Sequence, residues 1–258
     1  MDNKKILTEI IQVRDGQKKW KTDVVIREIS LTISINMKKL VTISCLDDKI
    51  DNLALGFIFS EGLIQSTDQI LAFEYFPENN WFDFTLDIEQ KVIDSFLNTG
   101  EKTSGCGSVL SNNSNLKENE WNKIEIDSTK ISQISRQFQK DSKLFLETGG
   151  VHAAALIRSN KILFFAEDLG RHNAVDKIIG EALLEEIDLS KTILFTSGRI
   201  SSEITRKIIR AKIPMIVSHS APTSETIRLG WKYHIFIIGF TRGNRFNLYT
   251  GFNDIIIK

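Results

Sequence analysis

The sequence predicts an α/β protein in which a three-layer α/β/α domain follows a smaller α+β domain. From about residue 129 onward, apolar strand-like runs alternate with helix-like segments, a pattern typical of a sheet covered by helices on both faces. Residues 20–90 instead show strand patterns around a single helix, and glycine-bearing loops follow several C-terminal strands. We therefore expect an N-terminal domain over residues 1–125 and a C-terminal domain over residues 126–258.

The N-terminal elements follow from β-rich runs and one apolar segment. VVIREISLTISINMKKLVTISCL predicts two strands separated by Asn36–Lys39, and DNLALGFIFSEGLI predicts a buried helix that ends near Gly62. FEYFPENNWFDFTLDI predicts a strand, a Pro-Asn turn and a second strand. Residues 100–125 are rich in glycine, serine and asparagine, and we expect them to form the active loop and the interdomain connection.

The C-terminal elements alternate. SQISRQFQKDSKLF predicts a helix, and AAALIRS and KILFFAE predict strands paired around Ser159–Asn160. HNAVDKIIGEALLE predicts an amphipathic helix that Asn173 can cap. The strand patterns ILFTS, PMIVSHS and HIFIIGF then alternate with the helix patterns SEITRKIIRAK and SETIRLGWKY, and the turn TRGN follows the last strand.

Composition excludes several classes of protein. Hydrophobic residues make up 41% of the chain and charged residues 26%, and the 33 basic and 33 acidic side chains balance. This balance gives no support to nucleic-acid or membrane binding, and no apolar run approaches the ~20 residues of a membrane span. The first residues lack the apolar core of a secretory signal, and two distant cysteines do not make a disulfide framework. We expect a cytoplasmic protein.

Local charge and loop chemistry indicate an anion site. Between Arg199 and Arg245 there are nine basic and two acidic residues, a local charge of +7, although solvated helix faces could also account for it. The loops after the strands carry Arg171 and His172 in EDLGRHN, Arg199 in SGR and Ser220 in HSAPTS. Ligands gather where strands end and helix N-termini present free N–H groups.

Cys106 lies between Gly105 and Gly107 in a polar segment, which leaves two interpretations open: a reactive thiol or a dispensable surface cysteine. The other cysteine, Cys45, lies in the apolar strand LVTISCL and is expected to be a small buried hydrophobic residue. His152 is followed by Ala153 and Ala154, so the His-x-Glu signature of zinc deaminases is missing, as is any Cys-x-x-Cys. We expect no zinc hydrolysis and no structural metal.

Long motifs carry a resemblance to a known family. TGGVHAAAL (148–156), EDLGRHNAVDKIIG (167–180), residues 197–227 and GFTRGNRFNLYTG (239–251) resemble the formate dehydrogenase accessory sulfurtransferases, the FdhD family. ALGFIFSEGLI (54–64) is similar to the N-terminal signature of the same family. The resemblance covers nearly the whole chain.

The resemblance implies a sulfur carrier. Family members accept sulfur from the persulfide of a cysteine desulfurase and hold it on a cysteine. They pass it to the bis(molybdopterin guanine dinucleotide) molybdenum cofactor before that cofactor enters formate dehydrogenase. It also implies a cytidine-deaminase-like C-terminal domain and a homodimer, with GDP as a mimic of the cofactor's nucleotide arms.

By motif position, the resemblance implies that Cys106 is the residue that carries the sulfur. The cofactor-contacting segment corresponds to Phe240, Thr241, Arg242, Gly243, Asn244 and Arg245, with Arg171, His172, Arg199 and Ser220 as further candidates for the same surface.

One departure from the family pattern keeps two alternatives open. Many members carry Cys-x-x-Cys in the loop, whereas Thr103 and Val109 stand three residues to either side of Cys106. The sequence therefore does not support a mechanism that needs two thiols in this loop. A mechanism in which a single cysteine carries the sulfur needs only Cys106. The alternatives are a chaperone that binds the cofactor without covalent sulfur transfer, and a metal-free deaminase-fold enzyme acting on a free nucleotide.

Overall fold

The computed structural model describes residues 4–97 and 124–258. Its N-terminal part contains a two-stranded antiparallel ribbon and a four-stranded sheet of order β4-β3-β6-β5. Asn36 and Met37 both have positive φ, which suits the two-residue turn between β3 and β4. The elements are β1 (Lys5–Arg14), β2 (Gln17–Ile26), β3 (Ile29–Ile35), β4 (Lys38–Cys45), α1 (Ile50–Ser60), β5 (Ile70–Phe76), β6 (Trp81–Leu86) and α2 (Gln90–Leu97).

The C-terminal part is built on a six-stranded mixed sheet of order β13-β12-β11-β10-β8-β9. Strands β10, β11 and β12 are parallel, and the other neighbours are antiparallel. A short parallel pair joins β7 to β14. The elements are β7 (Ile124–Ile126), α3 (Ser128–Asp141), α4 (Lys143–Thr148), β8 (His152–Arg158), β9 (Lys161–Asp168), α5 (Arg171–Leu184), β10 (Ile193–Thr196), α6 (Ser202–Arg210), β11 (Met215–Ser218), α7 (Ser224–Lys232), β12 (Phe236–Arg242), β13 (Arg245–Leu248) and β14 (Ile255–Ile257).

Helices cover both faces of the six-stranded sheet, which confirms the predicted α/β class. On one face, Ile131, Ile134 and Phe138 of α3 pack against a cluster that includes Phe195. On the other face, α5, α6 and α7 pack against the alternate strand residues. The likeness to cytidine deaminases in particular stays a prediction.

Helix α1 links the N-terminal sheet to the C-terminal sheet through α5. A Cβ atom added at Gly56 would lie 1.9 Å from the backbone oxygen of Asp176, and one added at Gly180 would lie 2.0 Å from that of Asn52. The two backbones therefore touch, and one hydrophobic cluster contains residues from both halves of the chain. The division into domains at residue 125 stays a prediction.

Three local predictions are wrong. The helix predicted over residues 132–145 is interrupted at Ser142, whose ψ of 57° is not helical, so that α3 and α4 are separate. The prediction that α5 is amphipathic is wrong: the helix is buried on nearly every side, because α1 covers the face that the sheet leaves free. Asn173 does not cap α5, since Gly170 occupies the N-cap position and the Asn173 amide donates to Asp168 and to the Ser44 carbonyl.

Within the described ranges, no helix combines the length and the apolar character needed to cross a membrane.

Candidate functional site

The candidate site lies at the edge of the sheet where β10, β11 and β12 end. Because β8 is antiparallel to β10 and to β9, the first residue of β8 and the last residue of β9 lie at this edge too. Helices α5, α6 and α7 begin here. Ser201 and Thr223 cap α6 and α7, whereas Gly170 gives α5 no side-chain cap. The edge therefore presents helix N-termini, which favour anions.

Arg171 lies directly on the loop that follows β10. A Cβ atom at Gly198 would be 2.9 Å from the Cβ and 3.0 Å from the Cδ of Arg171, so the absent side chain makes room for the arginine. The Arg171 Nε atom is buried and has no hydrogen-bond partner among the described residues. A buried guanidinium N–H without a partner costs free energy unless a ligand accepts its hydrogen bond.

His172 is the next residue, and it faces a carboxylate on α6. Its Nε2 atom lies 3.1 Å from Glu203 Oε2, which is an ion-pair distance, yet the pair lacks hydrogen-bond geometry and Nε2 is buried and unpartnered within the described part of the chain. The pair brings the start of α5 against the first turn of α6. A ligand oxygen near Nε2 would complete the hydrogen bonding of this imidazole.

His152 stands at the start of β8, beside the same arginine. Ser197 Oγ accepts a 2.9 Å hydrogen bond from the Ala153 N–H and shares a second hydrogen bond with His152 Nδ1 at 3.3 Å. Burial lowers the pKa of His152, and the positive charges of Arg171 and His172 lower it further. The lowered pKa favours the neutral form of His152, in a locally positive environment.

Hydrogen bonds join the neighbouring loops into one surface. Ser218 Oγ donates to the Gly198 carbonyl (2.7 Å), the Ser220 N–H donates to Ser218 Oγ (2.9 Å), and the Phe240 N–H donates to the Ser220 carbonyl (3.1 Å). The predicted residues Arg171, Ser220 and Phe240 thus lie on one connected edge.

Phe240 and Thr241 have unusual environments. Phe240 has a φ of +53°, which a bulky residue rarely adopts, and the residue is 36% exposed. Thr241 is fully buried, and its Oγ1 atom has no partner among the described residues. Backbone strain and unpaired buried polar atoms are common at binding sites.

The rest of the predicted segment forms an exposed turn. Arg242 and Arg245 are paired across the β12–β13 hairpin, on either side of Gly243, whose φ is positive. The Asn244 side chain accepts a 3.1 Å hydrogen bond from Arg136 on α3. Arg199 is exposed. Arg199 directly follows Gly198, against which Arg171 packs, whereas Arg245 lies on the β12–β13 hairpin.

A buried network, which the sequence reasoning missed, positions the start of α5. Asp168 Oδ2 lies 2.6 Å from Lys177 Nζ with both side chains fully buried, and Asp168 Oδ1 accepts from Asn173 at 2.7 Å. The backbone N–H groups of Gly170 and Leu46 also donate to Asp168. The network holds the Arg171–His172 turn against β4.

Cys45 and Cys106 differ in what the structure says of them. Cys45 is fully buried, and burial, followed by the charge of Asp168, raises its thiol pKa to about 12. Such a thiol is unreactive near neutral pH, and the prediction that Cys45 is a buried hydrophobic residue is confirmed. Cys106, with Thr103 and Val109, lies outside the described residues.

Comparison with known proteins identifies the family. A model of the FdhD/NarQ family matches residues 26–256. The chain belongs to the FdhD/NarQ family. Its relatives include the sulfur carrier protein FdhD of Bacillus pumilus, 34% identical over 250 residues, a match covering 93% of this chain and 94% of the relative. The FdhD of Listeria innocua is 34% identical over 236 residues, with 88% and 90% coverage.

A solved structure supports the fold of this FdhD/NarQ member. The crystal structure of a formate dehydrogenase accessory protein from Desulfotalea psychrophila superposes with a TM-score of 0.80 at 22% identity. The match covers 98% of this chain and all of the other. The family model and the relatives that are 34% identical confirm the predicted resemblance to the FdhD family.

The sequence reasoning missed Ser197 and Glu203 as site residues. Ser197 precedes the glycine of the SGR loop and directly follows a buried strand, and this position in the sequence could have identified it as a site residue. Nothing in the sequence marks Glu203 as a site residue, because its proximity to His172 depends on how α5 and α6 pack.

Proposed function

We propose that this FdhD/NarQ member accepts sulfur from a cysteine desulfurase on Cys106 and passes it to the bis(molybdopterin guanine dinucleotide) molybdenum cofactor, the substrate that formate dehydrogenase later needs. Relatives of this chain carry the name sulfur carrier protein. The structural observation that carries the proposal is the buried Nε of Arg171, which has no hydrogen-bond partner in the described part of the chain, at an edge where three helices begin.

The accepting step needs one thiolate. Cys106 attacks the terminal sulfur of the donor's persulfide, the donor's S–S bond breaks, and the donor cysteine leaves as a thiolate. The product is a persulfide on Cys106, and no external oxidant or reductant is consumed. Cys45 is fully buried, and burial raises its thiol pKa to about 12, so it is poorly suited to act as the nucleophile or as a resolving thiol.

The edge suits the phosphates of the cofactor's two nucleotide arms. Arg171 and His172 are basic, and the N-terminus of α5 has no side-chain cap. A phosphate oxygen would accept from Arg171 Nε and from His172 Nε2, two buried nitrogens that have no hydrogen bond within the described residues, although His172 Nε2 also lies at ion-pair distance from Glu203. The ring of Phe240, a partly exposed residue, offers a face on which a guanine base can stack.

The partners and the compartment belong to the same proposal. A cysteine desulfurase supplies the sulfur, formate dehydrogenase receives the sulfurated cofactor, and the chain acts in the cytoplasm as a homodimer. None of these steps needs nucleic acid or a bound metal.

A nucleotide titration tests the binding half of the proposal. We expect GDP to bind the full chain, and Arg171→Gln to weaken the affinity by about 10- to 100-fold through loss of a charge-assisted contact. Arg158→Gln is the matched control, because Arg158 ends β8 at the opposite edge of the sheet. Unchanged affinity in the Arg171 variant would overturn the assignment of the edge.

Formate dehydrogenase activity in cells tests the sulfur-transfer part of the proposal. In a strain that lacks its own carrier, Cys106→Ala should give inactive formate dehydrogenase, while Cys45→Ala should support normal activity. If Cys106→Ala supported activity and Arg171→Gln did not, the chaperone alternative would replace the sulfur-transfer proposal. Turnover of a free nucleotide by the wild-type chain would instead favour the nucleotide-enzyme alternative.

A further inference from the structure

Asp168 is fully buried at the end of β9, where donors from three parts of the chain converge on its carboxylate. From the turn before α5, the Gly170 N–H donates to Oδ1 at 3.3 Å. From the segment after β4, the Leu46 N–H donates to Oδ2 at 3.2 Å. From α5, the Asn173 amide donates to Oδ1 and the Lys177 ammonium pairs with Oδ2. A buried polar network whose members are paired holds the groups around it in fixed positions.

Asn173 connects the two halves of the chain through a single amide group. Its Nδ2 atom donates to Asp168 at 2.7 Å and to the Ser44 carbonyl of β4 at 2.8 Å, so one side chain reaches both the last residue of β9 and a strand of the N-terminal sheet. The same side chain folds back over the N-cap of α5, because a Cβ atom added at Gly170 would lie 3.3 Å from the Asn173 Cγ. The amide therefore fixes where α5 begins relative to β4.

Arg171 follows Gly170 directly, so these contacts also set the position of its backbone. Its side chain packs against Gly198, where an added Cβ atom would lie 2.9 Å from the arginine Cβ. Its buried Nε has no hydrogen-bond partner within residues 4–97 and 124–258, and a ligand oxygen must lie within about 3.2 Å of it to accept. Because a binding group must be held within about 0.5 Å of its productive position, the start of α5 has to be fixed at least that well.

We propose that Asn173 is a positioning residue that couples the end of β4 to the anion edge at Arg171. The amide keeps Arg171 aligned for a phosphate, and a phosphate bound at Arg171 in turn holds α5 against β4, because the coupling between two equilibria is reciprocal. The ligand half of this inference rests on the proposed function. The alignment of Arg171 by Asn173 does not need a ligand and can be measured without one.

A second contact between the same two regions provides the matched control. Lys49, which lies between β4 and α1, pairs with Glu181 at 2.7 Å near the C-terminal end of α5. Glu181 is about 15 Å along the helix from Arg171. Glu181→Gln therefore weakens the junction between β4 and α5 without disturbing the start of α5.

Two reagents measure the two ends of the coupling in the full chain. Phenylglyoxal modifies accessible guanidinium groups, and iodoacetamide alkylates Cys45, a fully buried residue between Ser44 and Leu46. Peptide mass spectrometry distinguishes Arg171 and Cys45 from the other arginines and from Cys106. Asn173→Ala should speed both reactions at least about fivefold through local opening, whereas Glu181→Gln should keep both within about twofold of the wild type.

GDP tests the reciprocal effect. In the wild type, saturating GDP should slow the alkylation of Cys45 at least about threefold, because the bound ligand disfavours opening of β4 from α5. Glu181→Gln should keep this protection. Asn173→Ala should lose it even at saturating GDP, and its affinity for GDP should fall about tenfold. A general stabilisation by the ligand would instead protect Cys45 in both variants.

Several results would overturn the proposal. Wild-type reaction rates at Arg171 or at Cys45 in Asn173→Ala would do so, as would an equal acceleration in Glu181→Gln, which would indicate a general loosening of the chain. Asn173→Ser, which retains one donor, replaces Asn173→Ala if that variant does not fold, with acceleration expected at both residues. Equal alkylation of Cys45 with and without bound GDP in the wild type would overturn the coupling without any variant. If GDP did not bind the wild type at all, the nucleotide part of the proposed function would fail, and the two reaction rates without GDP would still decide whether Asn173 positions Arg171.

Discussion

Gly180→Ala tests whether the backbones of α1 and α5 touch. The added Cβ would lie 2.0 Å from the Asn52 oxygen and 2.8 Å from its carbonyl carbon, so no side chain can move aside to relieve the clash. An ordinary carbon–oxygen contact requires the helices to separate by roughly 1.5 Å. Separation on that scale loosens the packing of a core that both halves of the chain share.

The expected loss of stability is about 3 kcal/mol, near the upper end for overpacked cores, even after the ~1 kcal/mol that alanine gains over glycine inside a helix. For a chain of this size that corresponds to a fall of about 6–12 °C in Tm. Urea and thermal unfolding, followed by circular dichroism, measure the change in the free energy of unfolding and in Tm.

Gly230→Ala is the matched control for that experiment. Gly230 is also helical, but the atom nearest to its added Cβ is the terminal Cδ1 of Ile237 at 2.4 Å, which a rotamer change can move, and the nearest backbone oxygen is 3.3 Å away. The Gly230 variant should lose less stability than the Gly180 variant. If Gly180→Ala lost less than about 1 kcal/mol, or less than the control, the close crossing of α1 and α5 would be refuted.

Three further predictions concern buried titratable groups. Burial and the charge of Arg242 lower the pKa of His219 to about 4, so between about pH 6.5 and pH 4 the unfolded chain binds a proton that the folded chain does not. Stability should therefore fall by about 3 kcal/mol as the pH decreases, and urea unfolding of His219→Gln should show a flatter pH dependence. Lys207→Met leaves the buried carboxylates of Asp176 and Glu61 without their cation and should cost about 3–5 kcal/mol in thermal unfolding, part of which Asp176→Asn recovers in the double variant. Cys45 should resist iodoacetamide at pH 8, so the native chain should take up one label and the unfolded chain two.

Each of these has a contradicting result. An equally steep pH dependence in His219→Gln would assign the titration to another group. A Lys207→Met variant as stable as the wild type would show that the buried cluster is not coupled. Two labels on the native chain would show that Cys45 is accessible, and they would remove the argument that Cys106 is the single reactive thiol.

The sequence predicted elements whose local signals agree with their packing. The turns at Asn36–Met37 and Ser159–Asn160 each contain an asparagine, which tolerates positive φ, between two apolar runs, and the hairpins form there. The helix ending near Gly62 was predicted from its apolar run, and α1 ends at Ser60. In these places the residues that set the local conformation are neighbours in the chain.

Elements that depend on distant contacts were not predicted. The β1–β2 ribbon was missed because its apolar side chains face solvent, so burial does not impose a clear alternation on the sequence. The burial of α5 on all sides could not be predicted, because it depends on α1 crossing at Gly56 and Gly180. The break at Ser142 has no glycine or proline to mark it.

Part of the candidate site could be predicted, because several of its residues directly follow strands in the sequence. Arg171, His172 and Ser220 follow strands, and the rule that ligands bind at strand carboxyl ends places them on one edge. Three features arise only from tertiary packing: the pairing of His172 with Glu203, the support of the α5 turn by Asp168, and the burial of Thr241 Oγ1 without a partner in residues 4–97 and 124–258. The family motif includes Asn244, yet its side chain accepts a hydrogen bond from Arg136, a contact that the motif does not predict.

Intact-protein mass spectrometry after incubation with a cysteine desulfurase and cysteine tests the central proposal most directly. The wild type and Cys45→Ala should each gain the mass of a sulfur atom, which a reductant removes, and Cys106→Ala should gain none. A persulfide that persists in Cys106→Ala, or the absence of any mass gain in the wild type, would contradict sulfur transfer through Cys106.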